Sequence, residues 1–398
     1  MHEKFNHRIG TKTIKIEGAA GKPVTVKQLR HKFLFGCSEF STLPYVNGEM
    51  PPEEAEKAEK RYTHMQNLMN SVTLPFYWGR YEPEQGKPDH ARMLAAARFL
   101  KDKGMQLKGH PLCWHTVCAP WLLDMSNEEI YNTQLARIRR DIAAFEGIID
   151  MWDVINEAVI MPLFNKYDNG ITRICKERGR IKLIRDLFTE ARAASKNATL
   201  LINDFETSEA YDILVEGLLE ANVPIDIIGI QSHMHQGYWG VEKTHEILER
   251  FSRFNLPIHF TETTIISGEI MPAHIVDLND HQVEEWPSTP EGEARQAAEV
   301  TTHYETLFAH PLVETITWWS FHDGLWLKAP SGLLNKNSDP KPAYTALLEK
   351  IKGEWWTKEK TLNTDNDGNI TVKGVKGDYV AICEGKEIPF TITKAPHM

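Results

Sequence analysis

The chain has 398 residues, 41 % hydrophobic and 25 % charged, with a formal net charge of −10. That composition describes an ordinary globular protein with ample length for a core, and its acidic balance without a Lys/Arg run excludes nucleic acid and anionic membranes as expected partners. Five scattered cysteines (Cys37, Cys113, Cys118, Cys175, Cys383) show no CxxC pair or zinc spacing, so the fold depends on neither a disulfide framework nor structural zinc.

The first thirty residues contain no apolar signal-type region, and nowhere do eighteen apolar residues run together. A cytoplasmic protein or a mature exported form is expected. Thr13-Ile14-Lys15-Ile16 and Val24-Thr25-Val26 flank a turn-like Gly18–Pro23 segment and predict a β-hairpin. A charged helix follows from Pro52 to Met69, with Met65, Leu68 and Met69 on one face. Strand patterns then fall at 33–37, 71–77, 106–113, 149–155, 198–203, 225–231, 257–262 and 314–320. Helical patterns separate them at 89–103, 127–146, 177–195, 207–221, 242–254, 291–309 and 341–352. Eight strand–helix units over roughly 320 residues predict a (β/α)8 TIM barrel spanning 33–352. A doubly wound sheet would carry a glycine-rich phosphate loop after its first strand, and Phe35-Gly36-Cys37-Ser38 is no such loop.

Beyond Gly353 the pattern changes to short strands, among them Ile370-Thr371-Val372, Tyr379–Ile382 and Phe390–Ile392. Asp365-x-Asp367-Gly368 lacks the downstream ligands of a calcium loop and reads as a turn. This tail is too small to fold alone, and the N-terminal segment has the same all-β character. Residues 8–32 and 353–395 are therefore expected to form one small accessory β-sandwich, with Trp355-Trp356 packing the tail onto the barrel.

A barrel of this kind places its active site at the C-terminal ends of the strands. Met151–Asn156 reads as a buried strand with Glu157 at its tip, where poor solvation raises a carboxyl's pKa and suits it to general-acid work. Taken alone, the position fits a structural glutamate paired with an arginine equally well. The other strand ends decide between these readings. They supply His110 and Trp114, Asn203-Asp204, Gln231-Ser232-His233, Thr261-Glu262, and Trp318-Trp319 with Trp326 beyond. Glycoside hydrolysis needs one carboxyl to protonate the leaving oxygen and another to attack the anomeric carbon or activate water. Glu157 and Glu262 are the one pair that falls directly at strand ends, with Asn156 placed to meet a sugar hydroxyl and indoles suited to pyranose faces. His233-x-His235 could be a metal pair, but the first strand supplies no further ligand, so neither metal nor other cofactor is expected. His31, His64, His259 and His303 read as surface or packing residues, and Trp121 as core.

Trp152-Asp153-Val154-Ile155-Asn156-Glu157 resembles the acid/base motif of glycoside hydrolase family 10, the retaining β-xylanase family. Gly109-His110 through Trp114-His115, Gln231-Ser232-His233, Thr261-Glu262, and Trp319 through Asp323 to Trp326 match its other motifs in the same order. The resemblance runs from about Phe33 to Ile351. It implies Glu157 as general acid/base, Glu262 as nucleophile, and a sugar site lined by His110, Trp114, Asn156, Gln231, His233, Trp319 and Trp326. Three departures stand out. The second strand ends in Pro75-Phe76-Tyr77 instead of the family's glycone-side residues, which makes Tyr77 a substrate-binding position and leaves the choice of sugar to Phe76 and Tyr77. Thr264 stands where the family has an aspartate that supports the histidine matching His233, which should make His233 less readily protonated. Trp318-Trp319-Ser320 stands where Trp-Gly is usual, and the Asp323-to-Trp326 interval is one residue short.

The expected activity is a retaining endo-β-1,4-xylanase acting on a plant polysaccharide, with the two carboxyls about 5–5.5 Å apart. Alternatives are the same chemistry on a branched or non-xylose β-glycan, or a non-catalytic carbohydrate-binding barrel. A monomer with a polysaccharide or oligosaccharide partner is expected, secreted or periplasmic because xylan is too large to enter a cell.

Overall fold

A computed structural model of the chain describes residues 3–393. Two strands open it, β1 (Ile9–Lys15) and β2 (Pro23–His31). Eight parallel strands follow: β3 (Leu34–Ser38), β4 (Ser71–Pro75), β5 (Gln106–His110), β6 (Met151–Asn156), β7 (Thr199–Asp204), β8 (Ile227–Met234), β9 (Ile258–Ile265) and β10 (Val313–Trp318). They close in the order β10-β3-β4-β5-β6-β7-β8-β9, so the chain is the expected (β/α)8 barrel. Every residue of β6 and of β9 is buried. Helices cover one face and the barrel interior the other, so burial does not alternate along these strands, and the polar residues that β6 and β9 carry are buried with the rest.

The helices form the outer layer, and their ends follow local chemistry. Helix Asn127–Ala144 begins at a capping box in which the Ser126 hydroxyl accepts from the Glu129 N–H. The single helical pattern read at 177–195 is two helices, Gly170–Arg178 and Arg180–Ala194, broken at Gly179 with φ 82°. Glycine takes that left-handed conformation without the Cβ penalty. The third barrel strand stops at His110 rather than 113. Leu112 N–H and Cys113 C=O bond the backbone of β6 instead, which turns Trp114 onto a loop over the mouth.

The chain ends with β11 (Lys360–Asn363), β12 (Asn369–Val375), β13 (Gly377–Cys383) and β14 (Lys386–Ile392). Both chain ends contribute to the accessory sheets, but not through a hairpin. β1 pairs antiparallel with β12, while β2 lies in a second sheet of order β11-β2-β13-β14. An isolated hairpin would leave one apolar face in water. Crossing between the sheets instead puts Ile16 on one side of a shared core with Val24, Val26, Ile370, Val372 and Tyr379. Residues 394 and 395 of the expected sandwich lie outside the described residues. Asp365 forms the expected turn, its carboxylate accepting the Asp367 and Asn369 N–H groups. Trp355 is fully buried and stacks on Phe308 at 4.4 Å, anchoring the start of the tail to the barrel. Among the described residues no helix is long and apolar enough to cross a membrane.

Candidate active site

Glu157 follows β6 with φ +57°, a left-handed conformation costly for a residue with a Cβ, and its N–H donates to Asn203 C=O at 2.8 Å. In a continuing strand, neighbours point to opposite faces. This turn lets Asn156 and Glu157 face the same group: Gln231 Nε2 donates to Asn156 Oδ1 at 3.1 Å and to Glu157 Oε1 at 3.3 Å. The Trp114 indole donates to the other Glu157 oxygen at 2.8 Å. Burial pushes the Glu157 carboxyl up to about 8, against the Trp114 hydrogen bond and with the help of the negative charges of Glu262 and Asp204.

Glu262 sits within β9 among different company. Asn203 Nδ2 donates to its Oε1 at 2.9 Å, and His233 Nε2 lies 3.0 Å from its Oε2. The same Asn203 amide donates to Asn156 Oδ1 at 2.8 Å, so Asn156 accepts from both Asn203 and Gln231 and ties the two glutamates into one network. Beneath lies a buried charged chain: Lys108 Nζ is 2.8 Å from Asp153, His110 Nδ1 is 2.6 Å from the same oxygen, and His110 Nε2 is 3.7 Å from Glu262. Burial alone would raise the Glu262 carboxyl, but His110, His233 and Lys108 outweigh it and hold it below the ordinary range. Asp153 is likewise held low, Lys108 and His110 overcoming its burial. Two carboxyls at one mouth are thus driven in opposite directions, the pattern that separates a proton donor from a nucleophile.

The predicted positions mostly converge. His110, Trp114, Gln231 and His233 contact a glutamate directly, and Asn156 is linked to both glutamates through Asn203 and Gln231. Trp319 packs edge-on against His110 at 5.4 Å and against His233 at 6.2 Å. Trp326 packs on His233 at 4.7 Å, and its indole donates to Asn279 at 3.0 Å. Tyr77 reaches the site, its ring 5.7 Å from His110 and 5.5 Å from Trp114. Phe76 does not. It is fully buried and packs against Tyr81, Phe145 and Trp152, so it belongs to the core and cannot choose a sugar. Both residues lie just past the end of β4, where the chain turns toward the next helix with Phe76 in the core and Tyr77 at the mouth.

Thr264 accepts the Met234 N–H at 3.2 Å and lies 3.4 Å from His233 Nδ1 and 3.3 Å from His235 Nδ1. His233 is therefore held between a carboxylate and a neutral hydroxyl. His235 is buried, and burial with its neighbours His233 and His281 holds it well below the ordinary histidine range. Among the described residues no cluster of His, Cys, Asp and Glu could hold a metal ion. Ser320, where the resemblance expects glycine, keeps the left-handed backbone with φ +71°, and its N–H donates to the Ser38 hydroxyl at 2.9 Å. His31, His259 and His303 are buried packing residues, while Trp121 is half-buried and donates to Glu82 C=O at 2.9 Å.

Sequence reasoning passed over four contributors. Asn203 was visible as a strand end, but its central place depends on β7 lying between the two glutamate strands. Lys108 and Asp153 carried a signal, each being a charge inside an otherwise buried strand run. Phe40, in the loop after β3, carried none.

Three comparisons bear on the chain. A family model described as Glycosyl hydrolase family 10 matches residues 42–350. The endo-1,4-β-xylanase B of Thermotoga neapolitana is 26 % identical over 293 residues, covering 69 % of this chain and 78 % of that protein. The endo-1,4-β-xylanase/feruloyl esterase of Xylanibacter ruminicola is 27 % identical over 219 residues, which span 48 % of this chain and only 30 % of that longer protein. A solved family 10 structure from Paenibacillus barcinonensis superposes with a TM-score of 0.65 at 22 % identity, covering 82 % of this chain and 97 % of that one. At that identity the superposition speaks for the fold.

Proposed function

Because the chain belongs to glycosyl hydrolase family 10, we propose that Glu157 and Glu262 hydrolyse β-1,4-linked xylan-type chains by a retaining double displacement. The substrate class is taken from the xylanase relatives. The observation that carries the mechanism is the opposed tuning of the two carboxyls, Glu157 pushed up to about 8 and Glu262 held low. In the first step ionised Glu262 attacks the anomeric carbon while protonated Glu157 gives its proton to the departing glycosidic oxygen. In the second, Glu157 takes a proton from water, the water oxygen attacks the anomeric carbon, and Glu262 leaves as carboxylate. Trp114 and Gln231 orient the Glu157 carboxyl, and Asn203 and His233 fix Glu262. Asn156 lies between the two, placed to meet the hydroxyl beside the reacting carbon.

The sign of the pH dependence follows. Turnover needs Glu262 ionised and Glu157 protonated, so activity falls at low pH as Glu262 gains a proton and at high pH as Glu157 loses one. Replacing Glu262 with Ala should lower turnover of aryl β-xylosides by roughly 10⁴-fold or more. A 2-fluoro xyloside should label Glu262 covalently in the unaltered protein. Wild-type-like turnover in E262A, or labelling at another residue, overturns the assignment. A non-catalytic sugar-binding barrel would show neither turnover nor label. A polymeric substrate too large to enter a cell supports action in the periplasm or outside it. Residues 33–352 form the catalytic unit, with the two chain ends joined as the accessory unit.

A further inference from the structure

Between Glu157 on β6 and Glu262 on β9 the barrel mouth can be followed two ways round, over β7 and β8 or over β10, β3, β4 and β5. Each strand of the longer arc supplies one aromatic ring: Trp319 after β10, Phe40 after β3, Tyr77 after β4 and His110 at the end of β5. The rings form a closed edge-to-face circuit. Phe40–Tyr77 centroids are 5.9 Å apart at 80°, Tyr77–His110 5.7 Å at 86°, His110–Trp319 5.4 Å at 76°, and Trp319–Phe40 5.5 Å at 90°. These are the separations and angles of rings in contact, so no sugar ring passes between neighbours. His110 and Trp319 are 1 % and 6 % exposed, and Phe40 and Tyr77 are half-buried.

The circuit lies beside the proposed nucleophile. His110 lies 3.7 Å from Glu262, and Trp319 packs on the His233 ring that bonds Glu262. The sugar under attack develops oxocarbenium character and is the part of the substrate best served by a dry, enclosed wall of rings. The leaving portion needs only an exit past Glu157. Polar recognition on the aromatic side is scant. Both His110 nitrogens are directed at carboxylates, which leaves Tyr77 Oη and Trp319 Nε1 as the side-chain hydrogen-bonding atoms of the circuit without a protein partner among the described residues. Two such atoms suit the hydroxyls of one sugar, not two.

We infer that the aromatic circuit of Phe40, Tyr77, His110 and Trp319 ends the site one sugar beyond the cleaved bond, so that the enzyme removes a single terminal sugar from the non-reducing end instead of cutting within the chain. This rests on the retaining-glycosidase reading above. Chain-end action also gives Phe40 and Tyr77 a common role as the wall that excludes the second sugar.

The test compares kcat/KM for an aryl β-xyloside and the matching aryl β-xylobioside, together with the earliest products from reducing-end-labelled xylohexaose. The xyloside should be favoured by about tenfold or more, and the labelled hexamer should shorten by one xylose at a time. Phe40→Ala and the milder Phe40→Leu should shift the ratio toward the xylobioside by a comparable factor in protein that still melts cooperatively. A tenfold preference of the unaltered protein for the xylobioside, internal cleavage at the earliest times, or a ratio unmoved in both variants would overturn the proposal. If Glu262 is labelled by the 2-fluoro xyloside in those same samples, the retaining reading stands without it. Failure of both substrates and of labelling sinks the two together.

Discussion

The two arcs of the mouth divide the work of the site. On the short arc, Asn203 of β7 and Gln231 and His233 of β8 all spend their donors on Asn156, Glu157 or Glu262. On the long arc the side chains spend themselves mainly on one another, ring against ring. The short arc governs charge state and geometry, and a change there should act on kcat and its pH profile. The long arc governs shape, and a change there should act on which substrate is cleaved. His110 belongs to both, because its ring closes the circuit while its nitrogens link Asp153 to Glu262.

Three substitutions can sharpen or break this division, beyond the loss of Glu262. The largest effect among them is expected from Glu157→Gln. It should cost about 10²–10⁴-fold in kcat on xylan-type substrates and far less on aryl glycosides whose leaving groups need no proton. The alkaline limb of the pH profile should vanish with the carboxyl. A limb unchanged in Glu157→Gln would assign it to another group.

Lys108→Met should come next. It removes a positive charge that holds Glu262 low and leaves Asp153 buried without its strongest partner. The Glu262 carboxyl should rise, so the acid limb moves to higher pH, and stability should fall by about 3–5 kcal/mol as for breaking one side of a buried ion pair. Denaturant unfolding and a pH–rate profile read the two effects separately. An acid limb that stays in place would show that the buried chain serves the fold and not the nucleophile. The ratio between xyloside and xylobioside should not change, since Lys108 lies outside the aromatic wall.

The smallest effect is expected from Ser320→Gly. The left-handed backbone at φ +71° favours glycine, whereas the serine's own restriction of the unfolded chain favours serine. The two nearly cancel, and unfolding should shift by less than about 1 kcal/mol with the substrate ratio intact. A large change in that ratio would mean that the turn after β10 places Trp319 through the serine side chain.

Much of the fold could be read from local order. Barrel strands and helices carry their own periodicity and end signals, so eight alternating units pointed to a closed barrel before any contact was known. Glu157 and Glu262 were also readable, because a strand's end is a local fact and a barrel gathers all such ends on one rim. Errors arose where pairing is not local. The N-terminal strands looked like a hairpin because they are neighbours in sequence, but their apolar faces are covered only when β1 pairs with β12 and β2 with β13. Phe76 and Tyr77 looked equivalent until the turn after β4 sent one into the core and the other to the mouth.

By itself, then, the sequence determined a (β/α)8 barrel and pointed to the two carboxyls proposed to carry its chemistry, since both follow from periodicity and from residues at strand ends. The tertiary structure alone decided that Glu262 is held low, and what surrounds both carboxyls. Lys108, Asp153, Asn203 and Phe40 come from four different strands or loops, and their effects depend on distances of a few ångströms that no spacing along the chain encodes. Coulombic and packing energies fall off with separation in space, not in sequence.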